Sequence, residues 1–186
     1  MKLCMIGTGY VGLVSGTCFA DIGNQVYCVD KDKNKIDKLN SGVSPIYEPG
    51  LDELIKKNYD ANRLIFTTDI KKAINASDLI FICVGTPTKK GSLKVDLSFV
   101  YKCVKEVLKH TKKKKIIITK STVPVGTGAE IEKIIKKKKK LFSVISNPEF
   151  LREGEAIRDF RYPDRIVIGS DNKSEFKTMK KLYSPL

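Results

Sequence analysis

Short apolar runs alternate with amphipathic stretches along the chain. The runs at residues 2–6, 25–29, 64–67, 79–84, 116–119, 142–145 and 165–168 have the length and β-branched content of strands. The stretches at 11–22, 33–41, 51–58, 70–76, 96–109, 128–139 and 174–183 read as helices. In 96–109, Leu97, Val100, Val104, Val107 and Leu108 share one stripe at helical spacing. Residues 79–84, LIFICV, are apolar at every position, the pattern of a strand covered on both faces. Strands and helices in alternation predict an α/β fold. It is a Rossmann-like, doubly wound and mainly parallel sheet with helices on both faces. The 186 residues are enough for one such domain.

The first strand runs into Gly7-Thr8-Gly9-Tyr10-Val11-Gly12, a GxGxxG motif that opens the first helix. In that context Gly7 permits a tight turn and Gly9 lets the backbone approach a pyrophosphate. Gly12 lets helix and strand pack closely, and the helix N-terminus offers free N–H groups to phosphate. The second strand ends at Asp30. A carboxylate there accepts both ribose hydroxyls and repels a 2′-phosphate, which favours NAD over NADP. Lys31 and Lys35 pull the other way, since a nearby cation tolerates that phosphate; Lys35 reads equally well as an exposed helix cation.

Three further motifs fall at strand ends: Gly85-Thr86-Pro87-Thr88, Lys120-Ser121-Thr122-Val123-Pro124, and Asn147 to Gly154 (NPEFLREG). Ligands of open α/β sheets lie outside the carboxyl ends of the strands. Residues 7–12, Asp30, 85–88, Ser121, Thr122 and 149–153 are therefore expected to converge on one crevice. Taken singly, each has a plainer reading, as a Pro turn or a helix N-cap. Hydride transfer from an alcohol needs a base near the nicotinamide, and Glu149 and Glu153 are the acids available. Four residues apart, they would share a face on a helical turn, unless Glu153 instead pairs with Arg152 or Arg158.

Charge and cysteines narrow the classes. Thirty-five Lys and Arg against 21 Asp and Glu give +14, which raises nucleic acid as a partner. Only five of the basic residues are Arg, and nine Lys sit in the runs 112–115 and 136–140 at helix ends. Such cations suit helix dipoles and solvated faces, so no nucleic acid is expected. No apolar run approaches a membrane span. Five Cys at irregular spacing argue against a disulfide framework and fit a reducing, cytoplasmic setting. The single His110 argues against a multi-histidine metal site, and no metal is expected.

The segments GTGYVG (7–12), SPIYEPGL (44–51), DLIFICVGTPT (78–88), KSTVPVGT (120–127), NPEFLREGEAIRDF (147–160) and PDRIVIG (163–169) together resemble the UDP-glucose/GDP-mannose dehydrogenase family. PDRIVIG is closer to its UDP-glucose members. The resemblance spans nearly the whole chain. It implies oxidation of carbon 6 of UDP-glucose, twice, to UDP-glucuronate, with NAD as oxidant and water hydrolysing a thioester. By motif it implies Gly7, Gly9, Tyr10, Val11, Gly12, Asp30, Lys35, Gly85, Thr86, Ser121, Thr122 and Glu153 as cofactor contacts. It implies Thr122, Glu149 and Glu153 as catalytic residues, and Glu149, Phe150, Leu151, Arg152 and Glu153 as contacts to the sugar nucleotide. The family's catalytic Cys, with its Lys, Asn and Asp companions, has no counterpart here. Residues 1–186 are thus expected to be the NAD-binding domain, with the central helix, the UDP-sugar-binding domain and the oligomer contacts beyond residue 186. The alternatives are a GDP-mannose or UDP-N-acetylmannosamine enzyme, a hydroxyacid-type dehydrogenase, and an NAD-binding module without turnover.

Overall fold

The computed structural model describes residues 1–89, 91, 92, 94–138 and 140–186. Lys139, the predicted end of the helix over 128–139 and part of the second lysine run, lies outside the described residues. In chain order the elements are β1 (Lys2–Ile6), α1 (Tyr10–Asp21), β2 (Gln25–Val29), α2 (Lys33–Asn40), α3 (Leu51–Asp60), β3 (Leu64–Thr67), α4 (Ile70–Ala76) and β4 (Leu79–Ile82). They continue with α5 (Ser98–His110), β5 (Lys115–Thr119), α6 (Thr127–Ile135), β6 (Phe142–Ser146), α7 (Ala156–Arg161) and α8 (Lys173–Tyr183).

The six strands order as β3-β2-β1-β4-β5-β6, and every pairing is parallel. Alternation along each strand sorts the core into two layers. Leu3 and Met5 of β1 join α1, α2, α3, α7 and α8 on one face. Cys4 and Ile6 join α4, α5 and α6 on the other. The doubly wound arrangement expected from the apolar pattern is therefore present. Burial on both faces explains why β4 is apolar at every position and buried throughout.

Two expectations are corrected. Residues 165–168 do not form a strand. One antiparallel bridge joins Ser146 to Gly169, with reciprocal hydrogen bonds of 2.8 and 2.9 Å. Beyond it the Asn147 side-chain amide donates to the Val167 carbonyl at 2.8 Å, so a side chain takes the place of the ladder. Residues 149–153 are not helical: 147–152 are irregular, a turn covers 153–155, and α7 begins at Ala156. The lysine run 112–115 also divides. Lys112, Lys113 and Lys114 are exposed, but Lys115 opens β5, is buried, and donates from its ammonium to the Ser77 carbonyl. Burial lowers its pKa.

Candidate active site at the carboxyl edge of the sheet

Strand register decides which residues meet. Ile6 pairs with Val29 and Ile82, Ile82 with Thr119, and Thr119 with Ser146. The next residues, Gly7, Asp30, Cys83, Lys120 and Asn147, therefore stand in one row at the carboxyl edge. Backbone hydrogen bonds continue the ladder one step along this row, including Gly7 N–H to the Val29 carbonyl at 2.7 Å and Cys83 N–H to the Ile6 carbonyl at 2.9 Å. The loops that leave this row are the ones singled out in the sequence.

Glycine is required at two points of the first loop. Gly7 has φ +104°, and a Cβ there would lie 2.7 Å from the Cys83 carbonyl oxygen. A Cβ on Gly12 would lie 1.9 Å from the Gly7 carbonyl oxygen. Gly9 differs, because a Cβ there would meet nothing within 4 Å. It is the N-cap of α1, and no side chain caps that helix; its first turn also carries no acid. Free N–H groups and the positive end of the helix dipole thus open onto a clear approach, which fits a diphosphate.

Asp30 follows β2. Its Oδ2 accepts from the Thr8 N–H at 2.9 Å and the Thr8 hydroxyl at 2.8 Å, with the Lys35 ammonium 3.4 Å away. Among the described residues its Oδ1 accepts only from the Asp32 N–H, at 3.1 Å. A carboxylate has about four lone-pair positions, so Oδ1 keeps capacity for a ribose hydroxyl. Burial opposes ionisation of Asp30. Hydrogen bonds from Thr8 and Asp32 and the Lys35 charge outweigh it and hold the carboxyl below its ordinary range. Lys35 is therefore a partner of Asp30, not a free helix cation. Thr8, buried between the two motif glycines, escaped sequence reasoning.

The other loops are joined by short-range links. The Thr86 hydroxyl donates to the Thr122 carbonyl at 3.1 Å, which brings Gly85, Thr86 and Thr122 together. The Ser121 hydroxyl donates to the Val84 carbonyl at 2.6 Å, so it ties the end of β5 to the end of β4, and its oxygen keeps acceptor capacity. Tyr10 likewise turns its hydroxyl to Glu48, while its neighbour Val11 is half-buried. Burial, with the Glu48 bond next, raises the Tyr10 phenol to about 12.

In the last loop the Glu149 carboxylate accepts from the Leu151 N–H at 2.5 Å. Phe150 is exposed, with the Arg165 guanidinium 5.4 Å from its ring centre. Arg152 grips Asp159 through two side-chain nitrogens at 2.6 and 3.0 Å, and Arg158 pairs with Glu155. Both predicted pairings of Glu153 are thus displaced, and Glu153 stays exposed with no ion pair among the described residues. Beside this loop lies a cleft of about 560 Å³, lined by Lys120, Asn147, Glu149, Phe150, Arg165 and Tyr183 among others. Lys120 is 4% exposed, and its ammonium lies 3.3 Å from the Tyr183 hydroxyl, which donates to Asn147 at 2.6 Å. Lys120 and Asn147 belong to strand-end motifs read in the sequence, whereas nothing local marks Tyr183 as their partner.

None of the five thiols is suited to nucleophilic work. Burial pushes Cys18 and Cys83 up to about 12 and Cys103 to about 11, and raises Cys4 and Cys28 as well. Cys4, Cys18, Cys28 and Cys83 are buried in the core, and Cys103 packs against it partly buried. No helix among the described residues is long and apolar enough to cross a membrane.

Comparisons with known proteins agree with this geometry. The model of the UDP-glucose/GDP-mannose dehydrogenase family, NAD binding domain, matches residues 1–186. A UDP-glucose 6-dehydrogenase of Rhizobium meliloti is 53% identical over all of this chain, which covers 44% of that protein. The UDP-glucose 6-dehydrogenase TuaD of Bacillus subtilis is 51% identical over 99% of this chain, or 40% of its own length. Among solved structures, a ternary complex of GDP-mannose dehydrogenase from Pseudomonas aeruginosa superposes with a TM-score of 0.94. It is 37% identical, and the match covers all of this chain and 44% of that one. The chain thus spans less than half the length of these relatives.

Proposed function

Because the chain belongs to the UDP-glucose/GDP-mannose dehydrogenase family, we propose that it is the NAD-binding part of an enzyme that oxidises carbon 6 of UDP-glucose, yielding UDP-glucuronate. One observation supports this most directly. An uncapped helix start behind an unobstructed Gly9 stands beside Asp30, whose Oδ1 has room for a ribose hydroxyl. In this reading Gly7 to Gly12 and the first turn of α1 bind the diphosphate. Asp30, oriented by Thr8 and Lys35, binds the adenosine ribose. Gly85, Thr86 and Thr122 bound the nicotinamide end. NAD, when bound, accepts hydride from the substrate carbon.

Glu149 and Thr122 are the residues proposed to hold a water, and Glu153 to reach the nicotinamide end. Glu149 has one oxygen engaged by Leu151 and the other available. The segment 149–153, at the mouth of the cleft, is the proposed sugar contact. A nucleophilic thiol is assigned to elsewhere in the enzyme, because full or partial burial raises the pKa of all five here. The rest of the catalytic machinery is assigned to polypeptide outside these 186 residues, as are the subunit contacts and the site for the UDP moiety.

Calorimetric titration with NAD and NADP tests the cofactor site. Binding of NAD with weaker or no binding of NADP is expected, and equal affinity would overturn the Asp30 assignment. An assay with UDP-glucose, GDP-mannose and UDP-N-acetylmannosamine tests the substrate. The full-length enzyme should use UDP-glucose best and release NADH, while this chain alone should bind NAD without turnover. Preference for another sugar nucleotide, or sustained NADH release by this chain, refutes that part of the reading.

A further inference from the structure

The loop between α2 and α3 buries an acid that no cation neutralises. Glu48 is 6% exposed and forms no ion pair among the described residues. Such a group is retained in a fold only when hydrogen-bond donors replace its water. Three donors do so here. The Tyr10 hydroxyl and the Gly154 N–H, at 2.8 Å, both bond Oε2, and the Ile157 N–H bonds Oε1 at 3.3 Å. The Tyr10 hydroxyl also accepts from the Gly154 N–H at 2.9 Å.

These donors come from the two segments that the proposed reaction must bring together. Tyr10 is the first residue of α1, inside the phosphate loop. Gly154 directly follows Glu153, and its φ of +86° fixes the turn that leads from 149–153 into α7. Ile157 lies in the first turn of α7, whose positive end faces the carboxylate. We infer that Glu48 is a positioning residue: through Tyr10, Gly154 and Ile157 it fixes segment 149–153 against the dinucleotide loop. This inference rests on the function proposed above.

Glu48→Gln tests it at constant shape. A glutamine presents an NH₂ at one end, which must face either the Tyr10 and Gly154 donors or the Ile157 N–H. Hydrogen exchange at the Gly154 and Ile157 amides is expected to accelerate about tenfold or more. Amides of β1 and β4, which open only with the whole fold, should accelerate by no more than that factor, since the lost bonds weaken the native state once. Tyr10→Phe, which keeps the ring and removes one donor, should accelerate Gly154 alone. In the full-length enzyme Glu48→Gln should lower kcat with the sugar nucleotide about tenfold while KM for NAD stays within about threefold. Unchanged exchange at Gly154 and Ile157, or an unchanged kcat, would each overturn the inference. A wild-type chain that fails to bind NAD refutes the proposed function alone, because exchange at Gly154 and Ile157 still reports whether Glu48 holds this segment.

Discussion

The two halves of the sheet build their share of the carboxyl edge differently. In the β1-α1-β2 half the site is made by adjacent backbone. The backbone leaves no room for a side chain at Gly7 or Gly12, and Asp30 is held by Thr8, from the neighbouring loop of the same unit. In the β4-β5-β6 half the loops are placed by side chains reaching across the fold. Ser121 ties to Val84, Thr86 to Thr122, and Gly154 to Glu48. One half recognises a constant ligand with a rigid local motif. The other sets a surface whose shape depends on distant residues.

Four measurements sharpen or break this contrast. The largest effect is expected at Gly12→Ala, where the new Cβ falls 1.9 Å from the Gly7 carbonyl oxygen. Overpacking against backbone should destabilise the chain by about 3 kcal/mol or more. In a chain of this size that is a fall in Tm of about 6–12 °C, read by circular dichroism. An alanine tolerated there would show that the first half is not backbone-locked.

Asp30→Ala comes next. Loss of a charge-assisted hydrogen bond to the ribose should weaken NAD binding by about 10- to 100-fold in calorimetry. An unchanged Kd would remove Asp30 from the site. Its pH dependence follows from the lowered carboxyl pKa. A depressed folded-state value stabilises above the unfolded value of about 3.9 and is lost as pH falls through the folded value. The stability gap between wild type and Asp30→Asn should therefore stay constant from about pH 7 to 5 and close below about pH 4. A gap that widens on acidification contradicts the sign.

The smallest effect belongs to Ser121→Ala. It removes one buried hydrogen bond to the Val84 carbonyl and should cost about 1 kcal/mol in urea denaturation, with NAD affinity retained. A large loss of NAD affinity would show that Ser121 also contacts the cofactor.

The same division governs what the sequence discloses. GxGxxG, the strand-end Asp30 and six of the seven apolar runs are local patterns, and each sits where the pattern places it. The helical reading of 149–153 fails because the Glu149 carboxylate binds the Leu151 N–H and the chain turns at Gly154. Glu48 stands inside a recognised motif, yet its role is invisible there, because Gly154 lies 106 residues away and Ile157 lies 109. The strand expected at 165–168 is lost to one side-chain bond from Asn147. Local chemistry is legible; partners separated by most of the chain are not.

The first helix carries a last consequence. It is buried from Gly12 to Ala20. Its far end is fastened by Asp21, which binds Lys57 at 2.7 Å and Arg161 at 2.9 Å, and its near end by the Tyr10 phenol. A rod fixed at both ends and along its length has no hinge. A dinucleotide arriving at its tip meets a finished receptor, so the observed association rate in stopped-flow should rise linearly with NAD concentration. A plateau would instead reveal a slow rearrangement that gates entry.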